Sequence, residues 1–391
     1  MNPVFGRRQF LKTGGFCLVA APLAVCSSVM TNSGEAAGVQ SKTRGNENQK
    51  PQPTERAGSE MKLIAIEEHF LTDEVRKAWS ANAARDDTIN FNRGDIGDRL
   101  NDLGYQRLNL MDETGVDVQV LSLTSPGLHN LGRASVPLAQ HTNDLLAATV
   151  AKFPIRFQGL ATLPTPAPRL AARELERCVC ELGLKGAMLC GRTRERNLDH
   201  KDFWPIFECA AELGVPLFIH PQIPQQAVRQ AYYSGFGDKV DLAFASYGIG
   251  WHYEAGIQFV RLVLAGVFDR FPNLQVILGH WGEVVLFYIE RLAALNGAAK
   301  LKRTFAEYAR QNLYVTASGM FSQTYLQRSI EIVGSDRILF STDYPYQYRA
   351  GRDARRFLEA LTLSEADKTK FAHANWERVT SRVCESRAIK Q

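Results

Sequence analysis

The sequence predicts an α/β fold, a (β/α)8 TIM barrel with insertions after strands one and five. Three observations carry that prediction. Eight short apolar, β-branched runs alternate with amphipathic helical patterns over residues 62–391, the rhythm of repeated βα units. The runs are almost continuously apolar, as in strands buried on both faces of a parallel sheet. Four of them lead into a metal-capable or proton-transferring side chain, at the strand end where a barrel keeps its chemistry. A doubly wound open sheet is the alternative, but no G-x-G-x-x-G follows the first run.

The first run, 62–66, leads straight into Glu67-Glu68-His69. On an extended backbone residues i and i+2 share a side, so Glu67 and His69 converge while Glu68 turns away. A carboxylate oxygen and an imidazole nitrogen at one point suit a divalent cation such as zinc or manganese. The next runs are 117–123, 156–163 and 186–189, and the fifth, 215–219, ends at His220. The sixth, 274–278, passes through Gly279 to His280; the seventh is 313–317; the eighth, 337–341, leads to Thr342-Asp343. Helical patterns fall at 136–152, 168–182, 203–213, 256–270 and 323–333. Two insertions, 71–111 and 221–254, follow strand C-termini and should lie over the catalytic face. The first contains Trp79, Phe91 and Tyr105, and the second Tyr232, Tyr233, Phe236, Phe244, Tyr247, Trp251 and His252. Such aromatic lids either face a flat, apolar substrate or pack against themselves.

A chain of 391 residues with 45% hydrophobic and 22% charged content is ordinary for a soluble globular protein. The net charge is +5, and Arg7, Arg8 and Lys12 supply three of those charges. The remainder is nearly neutral, so no basic footprint for nucleic acid exists. An acidic small molecule would be met by a metal or an arginine. Gly6-Arg7-Arg8-Gln9-Phe10-Leu11-Lys12, followed by an apolar stretch over 14–29, resembles the bacterial Tat export signal. That resemblance implies a Tat signal peptide over 1–30, export by the Tat machinery, and a periplasmic or otherwise exported protein with no stable membrane insertion when mature. A membrane anchor competes, but the apolar run is short for a span. Residues 31–61, polar and without apolar periodicity, read as a disordered linker, leaving 62–391 as the catalytic domain. Of seven cysteines, Cys17 and Cys26 lie in the leader. Cys178, Cys180, Cys190, Cys209 and Cys384 lack paired C-x-x-C spacing, which argues for buried or partly buried free thiols.

Glu67-x-His69, His220-Pro221, Phe271-Pro272-Asn273-Leu274 through Gly279-His280-Trp281-Gly282-Glu283, and Phe340-Ser341-Thr342-Asp343-Tyr344-Pro345 resemble motifs of the amidohydrolase superfamily. More narrowly, they are similar to its branch of metal-dependent non-oxidative decarboxylases. The stretch from Tyr314 to Phe321 is similar to the strand-seven segment of the members that act on aromatic acids. The resemblance implies Glu67, His69, His220 and Asp343 as ligands of one divalent metal ion, zinc or manganese. It implies His280 beside the reacting centre with Glu283 as its partner, and Arg291 on the substrate carboxylate. Glu67-x-His69 in place of H-x-H points to the aromatic-acid branch. Lys185 precedes the fourth run, badly placed for the carboxylated lysine of two-metal relatives. A homo-oligomer, dimer or tetramer, is expected.

The implied reaction is decarboxylation of a hydroxylated aromatic or related unsaturated carboxylic acid, with no redox cofactor. Asp343 would donate a proton to a ring carbon, and His280, polarised by Glu283, would hold the phenol oxygen or tune that proton. Two other readings use the same residues. One is hydrolysis of a lactone or amide through a metal-activated water. The other is a secreted metal-dependent binding protein, in which the proton-transfer residues would be superfluous.

Overall fold

The computed structural model describes residues 60–81 and 87–381. The export signal over 1–30, almost all of the 31–61 linker, and Cys384 lie outside those residues. Strands β1 (Ile64–Phe70), β2 (Val118–Leu123) and β3 (Phe157–Gly159) form one parallel sheet in that order. A second parallel sheet runs β4 (Ala161–Thr162), β5 (Ala187–Cys190), β6 (Leu217–His220), β7 (Val276–Leu278), β8 (Leu313–Thr316) and β9 (Ile338–Leu339). Each of the eight runs is therefore a strand, with the third divided at Leu160. The Leu160 amide donates to Leu121 and the Ala161 amide to Gly186, each at 2.8 Å, so the chain changes neighbour there. Between β1 and the segment after β9 the backbone bonds are Ile66 to Phe340 at 3.1 Å and His69 to Tyr344 at 2.7 Å. No regular ladder crosses either junction.

Ile64, Ile66, Val120, Leu160, Phe218, Ile277 and Leu339 form an inner cluster between the strands. Ala65 and Phe70, on the reverse side of β1, join the larger layer shared with the helices. Helix Pro168–Cys180 shows how sequence builds that layer: proline opens it, where a missing amide costs nothing, and Ala171, Leu175, Cys178 and Val179 bury one stripe. Phe218 is fully buried in the inner cluster. Phe218→Ala is therefore expected to cost about 3–5 kcal/mol of unfolding free energy in denaturant titration.

The first strand departs from the expected geometry in a way that makes the site. It continues past residue 66 to Phe70, and its register against β2 slips between Ala65 and Glu68, a β-bulge. Strict alternation from Ile64 and Ile66 would send Glu67 outward. With two residues facing one partner, Ile66 and Glu67 both face inward and His69 follows on the same side. At the other end the regular pairing stops early. Strand β7 ends at Leu278 and β9 at Leu339, so His280 and Asp343 sit on the loops just beyond rather than on the strands.

Both long segments after strands carry helices: Asp73–Ala81 and Gly94–Asn101 in the first, Gln226–Tyr232 and Asp238–Ala243 in the second. Cys178 and Cys190 are buried and Cys209 partly so, none of them in a disulfide. Cys180, also outside any disulfide, is exposed, contrary to expectation, because it sits on the outer face of helix Pro168–Cys180. No described helix is long and apolar enough to cross a membrane.

Candidate metal centre and active site

Strand β1 delivers Glu67 and His69, β6 delivers His220 from its last position, and the loop after β9 delivers Asp343. All four side chains are buried. Ligand-capable atoms of Glu67, His69 and His220 lie within 4.8 Å of one another. Asp343 Oδ1 is 3.2 Å from His69 Nε2, and Glu67 Oε1 is 3.8 Å from His220 Nε2. Glu68 faces the opposite side, as expected.

The surroundings aim these atoms. Glu67 Oε2 accepts from Ser318 Oγ, and Thr316 Oγ1 and Ser341 Oγ approach it at 3.2 and 3.5 Å. Glu67 Oε1 is left buried without a hydrogen bond, and so is His69 Nε2. His220 Nδ1 is 2.8 Å from the Pro221 carbonyl, which can only accept, so the proton sits on Nδ1 and the Nε2 lone pair faces the cluster. Burial holds His69 and His220 down at about 3, so both are neutral imidazoles. Burial pushes Glu67 up to about 8 and Asp343 to about 7; His280 opposes this in both, while Asp343 adds to the rise in Glu67. Two neutral imidazoles and two crowded carboxylates, with unpartnered lone pairs converging, lack a positive charge at their centre. A zinc or manganese ion fits that donor set. Lys185 lies ahead of β5, at the far end of that strand from the ligands, and does not join it. We expect one divalent ion per chain, lost in His220→Ala; metal analysis finding two ions, or full occupancy in the variant, would contradict this.

A second cluster adjoins the first. His280 Nδ1 lies 2.6 Å from Glu283 Oε1, the expected pair, and His252 Nδ1 lies 2.8 Å from Glu283 Oε2. His252 comes from helix Gly250–Leu264, and nothing in its sequence neighbourhood marks it as a partner of Glu283. Gly279 brings the clusters together: a Cβ there would meet Ser318 Oγ at 2.7 Å and both Glu283 Oε1 and Glu67 Oε1 at 3.2 Å. The loop itself is strained, with positive φ at His280 (46°), Trp281 (57°) and Glu283 (50°), and Asp343 is the same at 57°. Non-glycine residues held in that region concentrate at functional sites. Burial alone would lower His280, but the Glu283 carboxylate, through its charge and hydrogen bond, together with Glu67 and Asp343 overcomes it and raises His280 to about 10. Burial would raise Glu283, yet His280 and His252 hold it down at about 2. The pair is an imidazolium and a carboxylate at neutral pH.

His220, His280 and Asp343 open onto a cavity of about 950 Å³ that Phe91, Tyr247, Trp251 and Met320 also line. Phe91, from the first long segment, stands edge-on to Tyr247 at 5.6 Å and Trp251 at 5.9 Å, from the second. The other expected lid aromatics pack elsewhere: Tyr233 and Phe236 against Phe244, Tyr105 against Phe153. Arg291 is not brought into the site. It is exposed on helix Ile289–Leu292 and does not line the cavity. The arginine that does line it, Arg328, is within 3.5 Å of Glu290 and 3.2 Å of Glu331.

Residues 106–379 match a family model described as Amidohydrolase. The chain is 36% identical over 329 residues to the gamma-resorcylate decarboxylase of Polaromonas sp. (strain JS666), covering 80% of this chain and 96% of that protein. The crystal structure of 5-carboxyvanillate decarboxylase from Sphingomonas paucimobilis superposes with a TM-score of 0.75 at 35% identity, covering 82% of this chain and 99% of that one. A dihydroxybenzoic acid decarboxylase from Polaromonas sp. JS666, solved with bound manganese and the inhibitor 2-nitroresorcinol, superposes with a TM-score of 0.71 at 34% identity, over 82% of this chain and 97% of that one.

Proposed function

Because the chain belongs to the amidohydrolase family, we propose that its cavity takes a hydroxylated aromatic carboxylic acid and releases carbon dioxide from it without redox chemistry. The protein is a metal-dependent, non-oxidative decarboxylase. One observation carries this reading above others: the Glu67–His69–His220–Asp343 cluster and the His280–Glu283 pair open onto a single cavity with an aromatic wall.

The chemistry explains the residue types. Direct loss of carbon dioxide from an aryl acid would leave a high-energy aryl carbanion. Protonating the ring carbon first turns the ring into an electron sink, and carbon–carbon cleavage then restores aromaticity. Glu67, His69, His220 and Asp343 would hold a divalent ion, which would supply positive charge to the carboxylate and neighbouring oxygen of the substrate. Asp343 lines the cavity and delivers the proton to the ring carbon. His280, kept cationic by Glu283, donates from Nε2 to the phenol oxygen. His252 holds the other oxygen of Glu283 and fixes that carboxylate in place. Phe91, Tyr247 and Trp251 take the face and edge of the ring and exclude water from the protonated carbon. A panel of hydroxybenzoates incubated with metal-loaded protein, followed by released carbon dioxide and ring absorbance, tests the reading. Failure of every member to release carbon dioxide would contradict it.

The two parallel sheets are, in this proposal, parts of one eight-stranded (β/α)8 barrel with insertions after strands one and five, and residues 62–391 are the catalytic domain. Arg291, exposed in a single chain, would reach a substrate carboxylate only from a second copy, so its proposed role requires a homo-oligomer. Export through the Tat pathway rests on Arg7-Arg8 and the apolar stretch behind them. In fractionated cells the wild type is expected outside the cytoplasm and an Arg7→Lys/Arg8→Lys variant inside it; equal retention would contradict export.

A further inference from the structure

Glu68 is fully buried, yet neither the metal cluster nor the cavity uses it. We propose that Glu68 is a positioning residue that sets the approach of Asp343 to the β1 ligands, through a buried network of Thr342, Gln119 and Arg107. The inference rests on the metal site proposed above and assigns what holds that site in shape.

The need for such a device comes from the fold. Glu67 and His69 lie on β1, and Asp343 on the loop after β9. The strands that carry them meet where regular pairing is missing: one bridge, Glu68 to Tyr344, and the backbone bonds from Ile66 and His69. Asp343 also holds a left-handed backbone, φ 57°. The ligand spacing of 3.2 Å across this junction is therefore not fixed by the sheets themselves.

Glu68 supplies the restraint. Its Oε1 accepts from the Thr342 amide at 2.8 Å, and its Oε2 from Thr342 Oγ1 at 2.6 Å, so both donors of the residue before Asp343 are held by one carboxylate. Gln119 Nε2 donates to Oε2 from 3.1 Å. Gln119 Oε1 in turn accepts from Arg107 Nε at 2.7 Å. Arg107, fully buried, closes the loop by donating from Nη1 to the His69 carbonyl at 2.8 Å, with its guanidinium 4.5 Å over the Tyr344 ring. The network thus runs from one metal ligand's backbone to the residue before another. Burying a carboxylate is a poor way to gain stability, since a well-packed apolar side chain commonly does as well or better. What a carboxylate with three aimed donors adds is direction, the property a ligand set needs.

The test uses the full chain, stripped of metal and titrated with Mn²⁺. Glu68→Gln places an amide where three donors converge, so at least one contact is lost. We expect Mn²⁺ to bind about 10- to 100-fold more weakly, the usual cost of losing a ligand's supporting contact. The electron paramagnetic resonance spectrum of the bound ion should change, and kcat should fall further than KM rises. Thr342→Val removes the hydroxyl donor alone and should shift affinity in the same direction by less. Glu68→Gln/Gln119→Glu moves the carboxylate one step along the network, where it meets Arg107 directly. This double variant should recover most of the affinity, and it serves as the folded test should Glu68→Gln fail to fold. Wild-type affinity and spectrum in Glu68→Gln, with only the melting temperature of the metal-free protein lowered, would reduce Glu68 to a staple of the fold and overturn the inference. No recovery in the double variant would overturn the network. A wild-type chain that binds no Mn²⁺ would instead remove the metal reading on which both rest.

Discussion

Asp343→Asn is expected to abolish turnover. The substitution keeps size and shape but removes two functions at once. Asparagine cannot deliver a proton to a ring carbon, and its neutral amide is a weaker partner for a divalent ion than a carboxylate. Loss of one general acid costs about 10²- to 10⁴-fold, so the combined loss should exceed that range. Asp343 is the carboxylate beside His69 at 3.2 Å that also faces the cavity, whereas Glu67 Oε2 is occupied by hydroxyls. Steady-state rates and metal analysis on the same preparations check this. Turnover above about a hundredth of wild type would place the proton on another group.

His280→Asn is expected to remove about 10²- to 10⁴-fold of the rate while leaving metal content unchanged. His280 lies outside the proposed ligand set of Glu67, His69, His220 and Asp343 and is turned toward Glu283 through Nδ1. The cause of the loss can be separated from a packing defect by pH. His280 acts as a cation, which it remains below its pKa, so activity should fall as pH rises through that value. With burial opposed by Glu283, Glu67 and Asp343, that value lies near 10. A bound divalent ion cancels the share due to Glu67 and Asp343, so the alkaline limb of the loaded enzyme should lie below 10. Glu283→Gln leaves burial opposed by less charge, and its limb should move to lower pH than wild type. Identical limbs would show that the His280–Glu283 pair is not what titrates.

Much of this was legible in the residues, for physical reasons that also explain what was not. Buried parallel strands must be apolar on both faces, so 117–123 and 215–219 stand out as runs whatever surrounds them. Glu67 and His69 are two residues apart on one strand, close enough for local geometry to bring them together. The bulge that turns Glu67 inward has no local signature, because it depends on the register against β2. Ser318 and Ser341 reach Glu67 across more than 250 residues of chain, and hydroxyls are too common in sequence to mark such a contact. His252 is hidden for the same reason. Arg291 differs again: sequence spacing does not say which way a surface helix faces, and in a single chain this one faces outward.

The most direct test of metal-dependent decarboxylation is turnover of a hydroxybenzoate by manganese-loaded protein in heavy water. Product should carry one deuterium at the ring carbon that lost the carboxylate, with carbon dioxide released in equal amount, and removal of the metal should stop both. Product that contains oxygen from labelled water, with no carbon dioxide released from any member of a panel of hydroxybenzoates and lactones, would mean that the same residues perform hydrolysis.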